Sequence, residues 1–135
     1  MDTAHVTYLG GLRTEATHLR SGERIITDAP VDNHGKGEAF SPTDLMSTSL
    51  ACCMMTLMGI AAEAKQIPLT GLTARVVKHM AADPRRVARV ELHFELDGSH
   101  LDQRQRSILE HAARTCPVAQ SLSPALKQEV TFTYK

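Results

Sequence analysis

Three cysteines and one arginine are the residues of this chain best suited to chemistry: Cys52, Cys53, Cys116 and Arg13. A thiolate is a strong nucleophile that can take an oxygen atom from a peroxide and later form a disulfide. Cys116 precedes Pro117. Proline suits the first turn of a helix, so Cys116 is expected at a helix N-terminus, where the partial positive charge lowers a thiol's pKa. The plainer alternative is a cysteine that only caps the helix or fills space. Cys53 falls on the stripe Met46, Leu50, Cys53, Leu57 and Ile60, whereas Cys52 shares its side with Thr48, Ser49 and Thr56. A helical cysteine is more often a small buried hydrophobe than a reagent. Periodicity alone therefore does not choose between Cys52 and Cys53. Arg13 lies beside the turn signal Gly10-Gly11. Near a thiol it would stabilise the thiolate and orient a peroxide oxygen; otherwise it is a solvated strand residue.

Other chemistries are excluded by what the chain lacks. The seven His show no His-x-x-x-His spacing, and there is no Cys-x-x-Cys, so no metal is expected and the histidines read as surface or loop residues. Gly35-Lys36-Gly37-Glu38 lacks the rest of a phosphate-binding loop, and no Gly-x-Ser-x-Gly offers a serine nucleophile. No cofactor is expected. The formal net charge of zero, without a basic block, argues against nucleic acid. An odd cysteine count and a start without a cationic or apolar leader point to a reducing cytoplasm. The apolar stretch 50–62 is short for a bilayer and is broken by Thr56 and Gly59, so no membrane partner is expected.

The elements that must position these residues follow from pattern. With 135 residues, one domain over 1–135 is expected. Short strands are predicted over 5–9, 13–19 and 24–27, then a loop over 29–40 rich in Pro and Gly. Ser41, Pro42 and Asp44 mark a sharp helix start, and the helix is predicted to run to about Lys65. Apolar residues on nearly every face mark it as a buried central helix. A hairpin follows, with strands over 72–80 and 87–97 around Asp83-Pro84. Ala88, Val90, Leu92, Phe94 and Leu96 face one way, and Arg89, Glu91, His93 and Glu95 the other. A second helix over 102–115, a short one after Cys116 and a strand over 130–134 complete an α+β chain with antiparallel pairing.

Four segments carry a resemblance to a known family. They are Gly10-Gly11-Leu12-Arg13-Thr14-Glu15-Ala16-Thr17-His18, Gly35-Lys36-Gly37-Glu38-Ala39-Phe40-Ser41-Pro42-Thr43-Asp44-Leu45, Ser49-Leu50-Ala51-Cys52-Cys53-Met54-Met55-Thr56-Leu57-Met58-Gly59-Ile60 and Ala113-Arg114-Thr115-Cys116-Pro117-Val118-Ala119. On these the chain resembles the OsmC/Ohr family, the osmotically inducible protein C and organic hydroperoxide resistance proteins. The resemblance implies an OsmC-like fold, with antiparallel sheets around a long buried central helix, in an intertwined homodimer with two sites at its interface. It also implies a thiol-dependent peroxidase. Cys53, eleven residues after Pro42, would be the peroxidatic thiol and Cys116 the resolving one. Arg13 matches the arginine that pairs with the reactive cysteine. The partners implied are an organic hydroperoxide and a dithiol reductant such as a lipoylated protein. One departure stands out. Ohr-type proteins carry Glu directly after the helix-starting proline, where this chain has Thr43; Asp44 and Glu15 are the candidates to replace it. The alternative reading is therefore a small-molecule binding or redox-sensing protein that keeps the fold without efficient turnover.

Overall fold

Gly10 and Gly11 take positive φ (80° and 61°), a region open to glycine, and so close the first hairpin. In the computed structural model, which describes residues 1–135, that hairpin opens the first of two compact units, Met1–Met46 and Ser47–Lys135. The first unit holds β1 (Ala4–Gly10), β2 (Arg13–His18) and β3 (Arg24–Asp28) in one antiparallel sheet of that order. The loop over 29–40 folds back on the base of β3. Asp28 N–H donates to Phe40 O (3.1 Å), Gly35 N–H to Pro30 O (2.9 Å) and Gly37 N–H to Ala29 O (3.2 Å). A Cβ at Gly35 would lie 1.7 Å from Ala29 O, so no larger residue fits there.

The predicted helix start is realised. α1 (Pro42–Lys65) begins on a reciprocal cap: Ser41 Oγ accepts the Asp44 N–H, and Asp44 Oδ2 accepts the Ser41 N–H, both at 3.0 Å. The rest of α1 belongs to the second unit. There follow β4 (Thr73–Ala81), β5 (Arg86–Leu96), α2 (Gln103–Arg114), α3 (Pro117–Ser121) and β6 (Lys127–Tyr134). The second sheet runs β4-β5-β6. Its middle strand is the most apolar, and the core of the unit joins Val90, Leu92, Phe94 and Leu96 to Leu50, Met54 and Met58 of α1 and Leu109 and Ala113 of α2. Phe94 stacks on its register partner Phe132 with centroids 5.3 Å apart.

The α+β class is as expected, and its strands form two three-stranded sheets; three details are corrected. β6 pairs with β5 in parallel, not antiparallel. The connection between them passes through α2 and α3, a crossover that lets the chain re-enter the sheet in the same direction. Ala88 does not lie on the buried face. The register steps from His79↔Arg89 to Met80↔Val87, leaving Ala88 as the extra residue of a bulge while Val87 takes the buried place. Finally, α1 is not buried all round. Ser47, Leu50, Ala51, Met54, Met58 and Ala62 recur at helical spacing and pack inward, while Cys52, Thr56 and Ile60 are exposed. By length and composition α1 is apolar enough to cross a membrane, yet its buried side is that of a core helix.

Phe94 has no exposed surface, so Phe94→Ala is expected to lower the unfolding free energy by about 3–5 kcal/mol in urea titration. A loss below about 1 kcal/mol would show that Phe94 is not a core residue.

Candidate functional site

Helical spacing relates each cysteine to the inward side of α1, which carries Leu50, Met54 and Met58. Cys53 lies one residue before Met54 and three after Leu50. It is half-buried, between the buried Leu50 and Met54 in the helix, while Cys52 is exposed.

Cys116 stands at the break between α2 and α3. Thr115 closes α2 with its N–H on His111 O, and Cys116 is the N-cap of α3, with Pro117 following as expected. Its Sγ accepts the Ala119 N–H at 3.4 Å. Ala119 is held in turn from β6, whose Gln128 Nε2 donates to its carbonyl at 3.1 Å. The side chain is fully buried. Burial pushes the Cys116 thiol above its ordinary value. The Ala119 N–H opposes this, but the Cys53 thiol, in hydrogen-bonding and electrostatic contact, pushes it further up. This overturns the expectation of a thiol acidified by its helix. The short helix offers the N–H groups of Ala119 and Val118, and desolvation of the thiolate outweighs them. The structure thus brings Cys53 and Cys116 together, both reduced.

Arg13 belongs to the first unit, where it opens β2 between Gly10 of β1 and Asp28 of β3. Its Nε is buried without a hydrogen-bond partner. Of the two acidic candidates, Glu15 lies 3.9 Å from Arg24 Nη1, and Asp44 gives Oδ2 to the helix cap. The residue that sequence reasoning missed is Asp28. It is fully buried, and its Oδ1 also has no partner. The signal available in the sequence was a lone acid closing a strand just before Ala29-Pro30. The histidines need a second correction. His79 and His93 are half-buried in strands, and both contact the Glu91 carboxylate, His93 through Nε2 at 3.1 Å. These contacts hold Glu91 below the usual carboxylate range. No group of three ligands is placed to hold a metal.

The family model for OsmC-like protein matches residues 35–131. A crystal structure from Psychrobacter arcticus, described as a candidate osmotic stress induced and detoxification response protein, is 54% identical, with 98% of this chain and 96% of that one covered and a TM-score of 0.92. An organic hydroperoxide resistance protein OsmC from Legionella pneumophila is 18% identical over 98% of both chains, with a TM-score of 0.76. An OsmC-like protein from Mycoplasma pneumoniae is 18% identical over 97% of this chain and 94% of that one, with a TM-score of 0.80. No curated protein matches the chain.

The thiol geometry makes an ordered prediction for alkylation. The raised Cys116 value means less thiolate at any given pH, and its burial limits access, so in native protein at pH 8 Cys52 should be labelled first and Cys116 last. Cys53→Ala removes a neighbour that raises it, so the pH profile of Cys116 labelling should move down. Peptide mapping by mass spectrometry reads both; a profile that moves up contradicts the assigned contact.

Proposed function

The chain belongs to the OsmC-like family, and on that premise we propose that it is a thiol-dependent peroxidase that reduces organic hydroperoxides in peroxide defence. The observation that carries this reading is the contact between a half-buried Cys53 and a fully buried Cys116.

The steps balance as follows. The Cys53 thiolate attacks the distal oxygen of the hydroperoxide, forming an S–O bond as the O–O bond breaks. The alkoxide leaves and is protonated to the alcohol, and Cys53 is oxidised to a sulfenic acid. Cys116 sulfur then attacks the Cys53 sulfur; its proton leaves with the sulfenic oxygen as water, and a Cys53–Cys116 disulfide forms. A dithiol reductant, such as a lipoylated protein, exchanges with that disulfide, restores both thiols and becomes a disulfide itself. Arg13 is assigned to hold the Cys53 thiolate and the peroxide oxygen by charge-assisted hydrogen bonds. The apolar residues of α1 around Cys53 favour a greasy substrate over hydrogen peroxide. The reading places the protein among reduced thiols, in the cytoplasm.

The active form in this reading is a homodimer. Across the first sheet, Val6, Ala16 and Ile25 are register neighbours in one row, and Val6 and Ile25 are 59% and 51% exposed. Tyr8 extends the same face of β1 at 64% exposure. Such a row supports burial against a second copy of the chain. The double variant Val6→Asp/Ile25→Asp should sediment as a monomer where the natural chain sediments as a dimer. A monomeric natural chain would remove this part of the proposal.

Turnover is the direct test. Cumene hydroperoxide should be consumed in the presence of dihydrolipoamide, and Cys53→Ser should lower the rate by at least about a thousandfold. Equal rates for the two proteins would refute the peroxidase assignment. The second reading, a sensor or binding protein, draws on Thr43, which offers no carboxylate next to Pro42. One equivalent of peroxide distinguishes the two. A Cys53–Cys116 linkage quickly reversed by dithiol supports the enzyme, and accumulation of Cys53 sulfinic acid supports the sensor.

A further inference from the structure

Asp28 is a buried acid that the proposed reaction does not use. It has no solvent exposure, and a buried carboxylate is costly unless both oxygens are engaged. Only one is. Oδ2 accepts the Glu38 N–H at 3.0 Å, tying the loop over 29–40 to the end of β3, while Oδ1 has no partner. Directly across the sheet stands Arg13, the register partner of Asp28, with a buried Nε that also has no partner. Register partners share a face of the sheet, with Cβ atoms about 4.5–5.5 Å apart. The opposite face is accounted for separately: Thr14 and Thr27, the next register pair, bond to each other through their hydroxyls.

A free donor and a free acceptor of opposite charge therefore sit on neighbouring strands, on one face, both out of water. We propose that Asp28 is the positioning residue for Arg13: its free oxygen, not bonded to the Arg13 Nε–H in this structure, takes that N–H when Arg13 serves the reactive thiol, and so orients the guanidinium. Neither earlier candidate serves as well. Glu15 points its carboxylate at Arg24, and Asp44 is engaged in the cap. Because Asp28 also anchors the Glu38 N–H, the loop and the arginine are set by one side chain.

This inference rests on the reading of Arg13 as the partner of Cys53, and its test avoids turnover so that the two can fail separately. The rate of Cys53 alkylation by iodoacetamide at pH 7 is measured in a double-mutant cycle in a Cys52→Ser background. Asp28→Asn should slow alkylation about fivefold in the presence of Arg13, and by much less once Arg13→Met is already in place. Asp28→Glu, which keeps the charge, should retain most of the rate. Equal effects of Asp28→Asn with and without Arg13, or no effect in either, overturn the proposal whatever the hydroperoxide assay shows. If Asp28→Asn does not fold, the carboxyl carbon resonance of Asp28 is compared between the natural chain and Arg13→Met. A shift on losing the guanidinium supports the pairing, and an unmoved resonance overturns it.

Discussion

The reciprocal cap between Ser41 and Asp44 is the constraint that fixes where α1 begins, and with it the placement of Cys52 and Cys53 along the helix. A helix rotates by about 100° per residue, so fixing its first residue fixes the azimuth of every later one. Eleven steps from Pro42 bring Cys53 to within roughly 20° of the starting direction. A slip of one residue at the cap would put Cys52 in the place of Cys53 and Cys53 in that of the buried Met54. The sequence of α1 itself would resist such a slip weakly, because apolar residues lie on several of its sides.

The two thiols differ by environment and not by identity. Both are free cysteines, yet Cys116 is sealed in at the break between α2 and α3 and Cys53 is half open on α1. At Cys116 two effects compete: the Ala119 N–H favours a thiolate, and burial beside a second sulfur disfavours it. Burial wins. A buried thiol that keeps its proton is a poor first nucleophile and a suitable second one, since it becomes reactive only when an electrophilic sulfur is formed beside it.

Much of this arrangement was legible from the chain. Ser41, Pro42 and Asp44 carry the start of α1, Pro117 the start of α3, and the alternation from Val90 to Leu96 the buried face of β5, because each is a local signal with a local cause. The features that escaped reading are those set by distant residues. Alternation tells which face a strand buries but not the direction of its neighbour, so parallel β6 was not visible. The bulge at Ala88 needs the register with β4. The Cys116 shift needs the burial around it. Asp28 looks in sequence like any acid before a Pro-containing loop; only its register with Arg13 and its complete burial set it apart. The histidines on Glu91 were missed for the same reason, since His79 reaches it from the neighbouring strand.

The parallel pairing of β6 also has a consequence for the order in which the chain can fold. A hairpin such as β4–β5 can zip as soon as its turn forms, but β6 cannot join β5 until the roughly thirty residues of the crossover are in place. Cys116 lies within that crossover, and Gln128 of β6 secures the Ala119 carbonyl beside it. The surroundings of Cys116 are therefore completed only when β6 joins β5. Until then Cys53 stands beside Cys52 on a newly formed helix, without its contact to Cys116.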